Sequence, residues 1–151
     1  MNPGDGQLAT AVALALAMLA ITTAVHYEGL KLLALAASAR SVSRHWAIGF
    51  LTALVGLHLI EVALYALAYA VGANLLALGS LRGSSGNSWL DFFYFAAETY
   101  STLGYGDVVP VGALRLVASI EALNGLLLLA WSGAFLFGVL EAESALGKSR
   151  G

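Results

Sequence analysis

Three stretches of this chain leave little choice of solvent. Leu8 to Val25 holds hardly a polar atom beyond Thr10, Thr22 and Thr23, and Trp46 to Leu78 and Ala113 to Leu140 are longer and nearly as apolar. An α-helix rises ~1.5 Å per residue and a bilayer's hydrocarbon core is ~30 Å thick, so each stretch is read as a membrane-crossing helix. The second is longer than a bilayer is thick and must tilt or protrude. Composition agrees: 60% of residues are hydrophobic, 11% are charged, and the mean hydropathy is +0.83. A net charge of −2 offers no basic face for nucleic acid. The absence of cysteine excludes disulfides, zinc-thiolate sites and thiol catalysis. No enzyme active site, small-molecule substrate or resident cofactor is expected.

The first six residues carry no Lys or Arg and the apolar run behind them is long, so a retained helix is expected rather than a cleaved leader. That helix is expected to continue through His26, Tyr27, Glu28 and Lys31 to about Ala39. Those four residues read as an interfacial belt, with Glu28 and Lys31 as i,i+3 neighbours.

Between the second and third apolar stretches, Gly79 to Ser88 is a loop by composition. Trp89 to Ser101 is apolar but too short to span. Ser88 and Asp91 stand as N-cap and N3 of a capping box, which predicts a short helix. Thr102-Leu103-Gly104-Tyr105-Gly106-Asp107 follows directly, then Pro110 and Gly112 break the chain. A short helix and an irregular segment between two spanning helices read as a re-entrant loop. Non-helical backbone at membrane depth is tolerated only where protein buries it or it lines an aqueous path. Lys31, Arg40 and Arg44 place the first link inside the cell, and Lys148 and Arg150 place the C-terminus there. The re-entrant loop and the N-terminus are then outside. The expected organisation is an N-terminal helix and link (residues 1–45), a unit of two spanning helices around the re-entrant loop (46–140) and a short polar tail (141–151), too short for a further soluble domain. Within the unit, the outer helix is 46–78, the short helix 89–101, the glycine segment 102–107 and the inner helix 113–140.

The T-L-G-Y-G-D segment after a half-helix resembles the pore loop of potassium channels, whose filter reads T-V-G-Y-G. In that family carbonyls from four chains replace the hydration shell of the ion, an established mechanism. The resemblance implies an all-α membrane protein, a homotetramer in the cell membrane, and K⁺ as the permeant ion. Its ligands would be the carbonyls of Thr102, Leu103, Gly104 and Tyr105 with the Thr102 hydroxyl; Gly104 and Gly106 allow backbone angles that turn successive carbonyls one way. Leu103 departs from the commoner valine, but its carbonyl is the ligand. The short helix would aim its negative C-terminal end at the ion path. Phe95 to Ser101 resembles the pore helix of simple bacterial members. Glu98 matches a glutamate that pairs with the filter aspartate in some of them, here Asp107. Gly125 falls where the inner-helix hinge would lie, with close helix packing as the other reading. No Arg-rich helix supports voltage sensing.

Intramembrane ionisable groups rarely face lipid. His58 and Glu61 share a face of the second helix, and Glu121 is expected at a similar depth in the third. The three are expected to meet behind the pore helix, reaching Thr99 or Ser101, as a hydrogen-bonded cluster that braces the filter and confers pH sensitivity, with a separate local partner for each as the other reading. His58 and Glu61 alone lack the ligands for a metal. The run Glu121 to Gly125, Trp131-Ser132, and His58-x-x-Glu61 resemble small bacterial ion channel proteins. Asn124 is expected to line the cavity below the filter, and Trp131, beside Ser132, either to pack between helices or to narrow the inner gate. The principal reading is a K⁺-selective channel. The alternatives are a weakly selective cation channel and a non-conducting membrane scaffold or sensor.

Overall fold

The structure, a computed structural model, describes residues 3–38, 44–83 and 88–148. The order is α1 (Pro3–Ser38), α2 (Arg44–Asn74), β1 (Gly79–Arg82), α3 (Trp89–Tyr100), β2 (Val109–Gly112) and α4 (Leu114–Lys148). Segments Asp5–Ala37, Ile48–Asn74 and Leu114–Glu141 are long and apolar enough to cross a membrane. This is an all-α, multi-pass membrane architecture with one small β-ribbon. Arg40, Arg150 and the loop residues 84–87 lie outside the described residues.

Three boundaries differ from expectation. α2 stops at Asn74, not Leu78: Leu75 and Leu76 N–H both donate to the Val71 carbonyl, and Ala77 takes a φ of +50° that turns the chain out of the helix. The expected loop begins instead as β1, antiparallel to β2, with Gly79 opposite Gly112 and Arg82 opposite Val109. Four-residue strands, one containing Pro110, carry too little pattern to be read in advance. α4 continues through the expected tail to Lys148, because Glu141 to Lys148 is rich in Glu, Ala and Leu, which favour a helix.

The ribbon fixes the topology of the loop. Pairing Arg82 with Val109 brings the two ends of residues 83–108 together, so α3 goes in and the chain comes back out on one side. The Leu78 carbonyl also accepts from Ala113 N (2.7 Å), holding the start of α4 to the ribbon.

Helices in lipid gain nothing from hiding leucine, so many leucines face outward, among them Leu51, Leu59, Leu67 and Leu126. The interior collects small residues, aromatics and polar groups. Ala11, Ala15 and Met18 of α1, Tyr65, Ala66 and Tyr69 of α2, Phe92, Phe95 and Tyr100 of α3, and Leu114, Val117 and Leu128 of α4 form one core. α1 packs along both α4 and α2. A second cluster, Leu30 with Phe50, Leu54 and Leu57, closes the other end against Phe135 and Val139.

Candidate pore loop and its buried polar scaffold

α3 begins with the expected capping box. Ser88 Oγ accepts from Asp91 N, and Asp91 Oδ2 accepts from Ser88 N, both at 3.2 Å. At its other end Ser101 caps the helix, with its Oγ donating to the Ala97 carbonyl at 2.7 Å. The chain then leaves through a tight set of bonds: Thr102 N to Thr99 O (3.0 Å), and Leu103 N and Gly104 N to Glu98 O (2.9 and 3.2 Å). Thr102, Gly104 and Gly106 have φ of +58°, +54° and +80°, while Leu103 and Tyr105 stay at negative φ. The backbone therefore alternates hand residue by residue. Glycine adopts the left-handed region freely; a β-branched residue there is strained by ~1–3 kcal/mol and persists only where its surroundings hold it. Residues 101–107 are all exposed in the single chain, Tyr105 at 68%.

Two carboxylates hold this segment. Glu98, 4% exposed, accepts from Tyr105 N through Oε2 at 3.2 Å. Asp107 accepts from the Tyr94 hydroxyl at 3.0 and 3.2 Å and from Val108 N at 3.0 Å. Glu98 and Asp107 thus each take a donor of their own, while the Asp107 charge still acts on the Glu98 carboxyl. Desolvation pushes the Glu98 carboxyl above its usual range; the Tyr105 N–H partly offsets this and the Asp107 charge adds to it. The Tyr94 phenol is pushed up to about 12, first by desolvation and then by the carboxylate it donates to, so it stays a donor at neutral pH.

Behind α3 lies a buried polar group drawn from all four helices. Glu61 is fully buried. Its Oε1 lies 2.8 Å from His26 Nδ1, and its Oε2 lies 3.1 Å from His58 Nδ1 and accepts from the Tyr100 hydroxyl. His58 Nδ1 is also 2.9 Å from that hydroxyl. Ser132 Oγ of α4 sits 3.0 Å from His58 Nε2 and 3.4 Å from His26 Nε2. The expected link from α2 to α3 exists, but through Tyr100; Thr99 and Ser101 instead serve the turn out of α3.

Several expectations are corrected here. His26 is no interfacial residue: it is fully buried on Glu61, although Glu28 and Lys31 do pair on the surface at 3.2 Å. Glu121 bonds to the Tyr69 hydroxyl rather than joining His58 and Glu61. Asn124 turns away from any central cavity, its Nδ2 donating to Thr22 Oγ1 (2.6 Å) and the Tyr65 hydroxyl (3.0 Å). Trp131 packs on His26 and Tyr27 of α1, with ring centroids at 5.3 and 6.4 Å, and keeps 40% of its surface exposed. Gly125 is a packing glycine, because a Cβ there would overlap the Tyr100 carbonyl. The residues missed in advance are His26, Thr22, Tyr65, Tyr69 and Tyr100.

Glu121 supplies a test of this packing. Tyr69 is its donor, and Glu121 Oε1 has no partner among the described residues. Tyr69→Phe leaves the whole carboxyl buried without a donor and is expected to destabilise the protein by ~1–3 kcal/mol. The double variant Tyr69→Phe/Glu121→Leu removes both partners and is expected to recover most of the thermal stability measured in detergent.

The ion channel family profile matches residues 53–142, from α2 through the pore loop into α4. The chain belongs to the ion channel family. It is 37% identical over 90 residues to an inward rectifier potassium channel, Kirbac3.1 of Paramagnetospirillum magnetotacticum, covering 58% of this chain and 28% of the relative. Over 54 residues it is 43% identical to the voltage-gated potassium channel Kch of Escherichia coli (35% and 13%), and over 56 residues 45% identical to the uncharacterized membrane protein YdjJ of Bacillus subtilis (36% and 16%). The channel chain thus spans less than a third of the length of these relatives. Its α1 and the His26 it contributes lie outside the family match.

Proposed function

We propose that this channel conducts K⁺ selectively through a homotetrameric pore, with the carbonyls of Thr102, Leu103, Gly104 and Tyr105 and the Thr102 hydroxyl as ion ligands. The observation that carries the reading is the alternation of φ sign at 102, 104 and 106 in an exposed, re-entrant segment. A β-strand points successive carbonyls to opposite sides, whereas alternating hand turns them to one side. Neutral oxygens in a row suit a monovalent ion that must bind and also leave. One chain gives one such row, and a cage around an ion takes four. Two of the relatives are named as potassium channels, which supports the choice of ion. In this reading the pore mouth and N-terminus face outward, the C-terminus is cytoplasmic, and α1 packs outside the ring.

The purified chain in liposomes, assayed for K⁺ against Na⁺ flux, tests it. Strong preference for K⁺ is expected. Equal flux would favour a weakly selective cation channel, and no flux of either ion would favour a scaffold. Glu98 gives a finer check through its bond to Tyr105 N. Glu98→Ala frees that amide and is expected to cut K⁺ flux about tenfold or more, the equivalent of one lost charge-assisted hydrogen bond of ~1.5 kcal/mol. Glu98→Gln keeps an acceptor oxygen and is expected to retain most of the flux.

A further inference from the structure

His26, His58 and Glu61 converge in a way that bracing the filter does not require. Their ligand-type atoms all lie within 4.8 Å of one another. Each carboxylate oxygen of Glu61 meets one imidazole Nδ1, at 2.8 and 3.1 Å. Each of those rings turns its other nitrogen, Nε2, toward the same hydroxyl, Ser132 Oγ.

Counting protons at Ser132 is informative. A serine hydroxyl donates once and accepts twice. If both histidines carry their proton on Nδ1 and donate to Glu61, both Nε2 atoms need a donor and Ser132 can serve only one. One proton on each kind of nitrogen, or both on Nε2, satisfies Ser132, and with both on Nε2 it accepts from both rings. Then two Nδ1 lone pairs and a carboxylate converge, with the Tyr100 hydroxyl 2.9 Å from His58 Nδ1 beside them. That is the electron-pair arrangement a metal ion fills, and metal-bound histidines characteristically give their far N–H to an oxygen partner. Tyr100 likewise donates to Glu61 Oε2, as expected of a partner to a ligating carboxylate.

We propose that His26, His58 and Glu61 bind one divalent transition metal ion per chain, of the Zn²⁺ class, between α1 and α2. Two imidazoles and one carboxylate select borderline metals such as Zn²⁺ or Co²⁺ over Ca²⁺ and Mg²⁺, which prefer all-oxygen sets. Trp131 covers the His26 ring, while His58 keeps a partly exposed edge, with 14% of its side chain accessible, as the entry side. The ion would fasten α1, which lies outside the family match, to the helix that contacts the base of the pore loop.

The purified full chain in detergent, stripped with chelator and titrated with Co²⁺, tests this independently of ion flux. One Co²⁺ per chain, a visible ligand-field band displaced by Zn²⁺, and two imidazoles by X-ray absorption are expected. His26→Gln and His58→Gln should each weaken binding at least ~10–100-fold, the loss typical even of residues that only support a ligand. Glu28→Gln, on the surface, should leave it unchanged. A wild-type channel that takes up no Co²⁺ overturns the proposal. Binding unaltered in both histidine variants overturns it too.

Discussion

Glu61→Ala is expected to abolish K⁺ flux and to lower the thermal stability of the channel more than any other single polar substitution. Glu61 meets groups on two other elements as well as on its own helix: His26 on α1, His58 on α2 and the Tyr100 hydroxyl at the end of α3. Removing it takes the acceptor from the Tyr100 hydroxyl and the shared partner from both imidazole Nδ1 atoms. Each buried polar group left without its partner costs ~1–3 kcal/mol. The damage is directed at the pore, because Tyr100 is followed at once by the cap at Ser101 and the strained Thr102. Glu61→Gln retains one acceptor oxygen but brings an N–H₂ against the remaining donors, so an intermediate loss is expected. Glu28→Ala is the control: its exposed i,i+3 pair with Lys31 should contribute no more than ~0.5 kcal/mol. Thermal unfolding in detergent and flux in liposomes read the two effects separately. A Glu61→Ala channel that assembles and conducts like wild type would sink the role given to this cluster.

The faces that meet in this cluster are written in the sequence, but their depths are not. His58, Glu61, Tyr65 and Tyr69 recur at three- and four-residue spacing and so share one face of α2; Glu121, Asn124, Leu128 and Ser132 do the same on α4, and Ala15, Met18, Thr22 and His26 on α1. Pairing across helices depends on their relative slide, and one turn of slide, ~5.4 Å, exchanges every partner. Glu121 shows the consequence. The ribbon pins the start of α4 at Leu78, so Glu121 stays high and meets Tyr69, about 12 Å along α2 from Glu61. Ser132, three turns further along α4, takes the place beside Glu61 and His58. His26 was misread for a related reason. Followed by Tyr27 and Glu28 it resembles a helix end, yet α1 runs on to Ser38 and carries it into the interior. The pore loop was legible because its signals are local: a capping box, a helix too short to span and glycines two residues apart all lie within twenty residues. The ribbon that closes the loop was not, since it joins short strands across α3 and depends on contacts rather than pattern.

Gly125→Ala separates packing from hinging on the inner helix. A hinge reading makes the variant stiffer and well folded, with altered opening, since alanine favours a helix over glycine by ~1 kcal/mol. The geometry gives the opposite sign. The added methyl would overlap the backbone carbonyl of Tyr100, an atom that cannot swing aside like a side chain. α4 must therefore move off the end of α3, and overpacking of this kind costs ~1–3 kcal/mol. The strain falls on the carbonyl that precedes the cap and the left-handed Thr102, so K⁺ flux should fall together with thermal stability. Gly56→Ala serves as the matched control, because a methyl at that mid-helix position meets nothing within 4 Å in the chain. It should be neutral or stabilising. If Gly125→Ala instead matches Gly56→Ala in stability while changing only the open fraction in single-channel recordings, then α4 bends at Gly125 and its contact with Tyr100 is incidental.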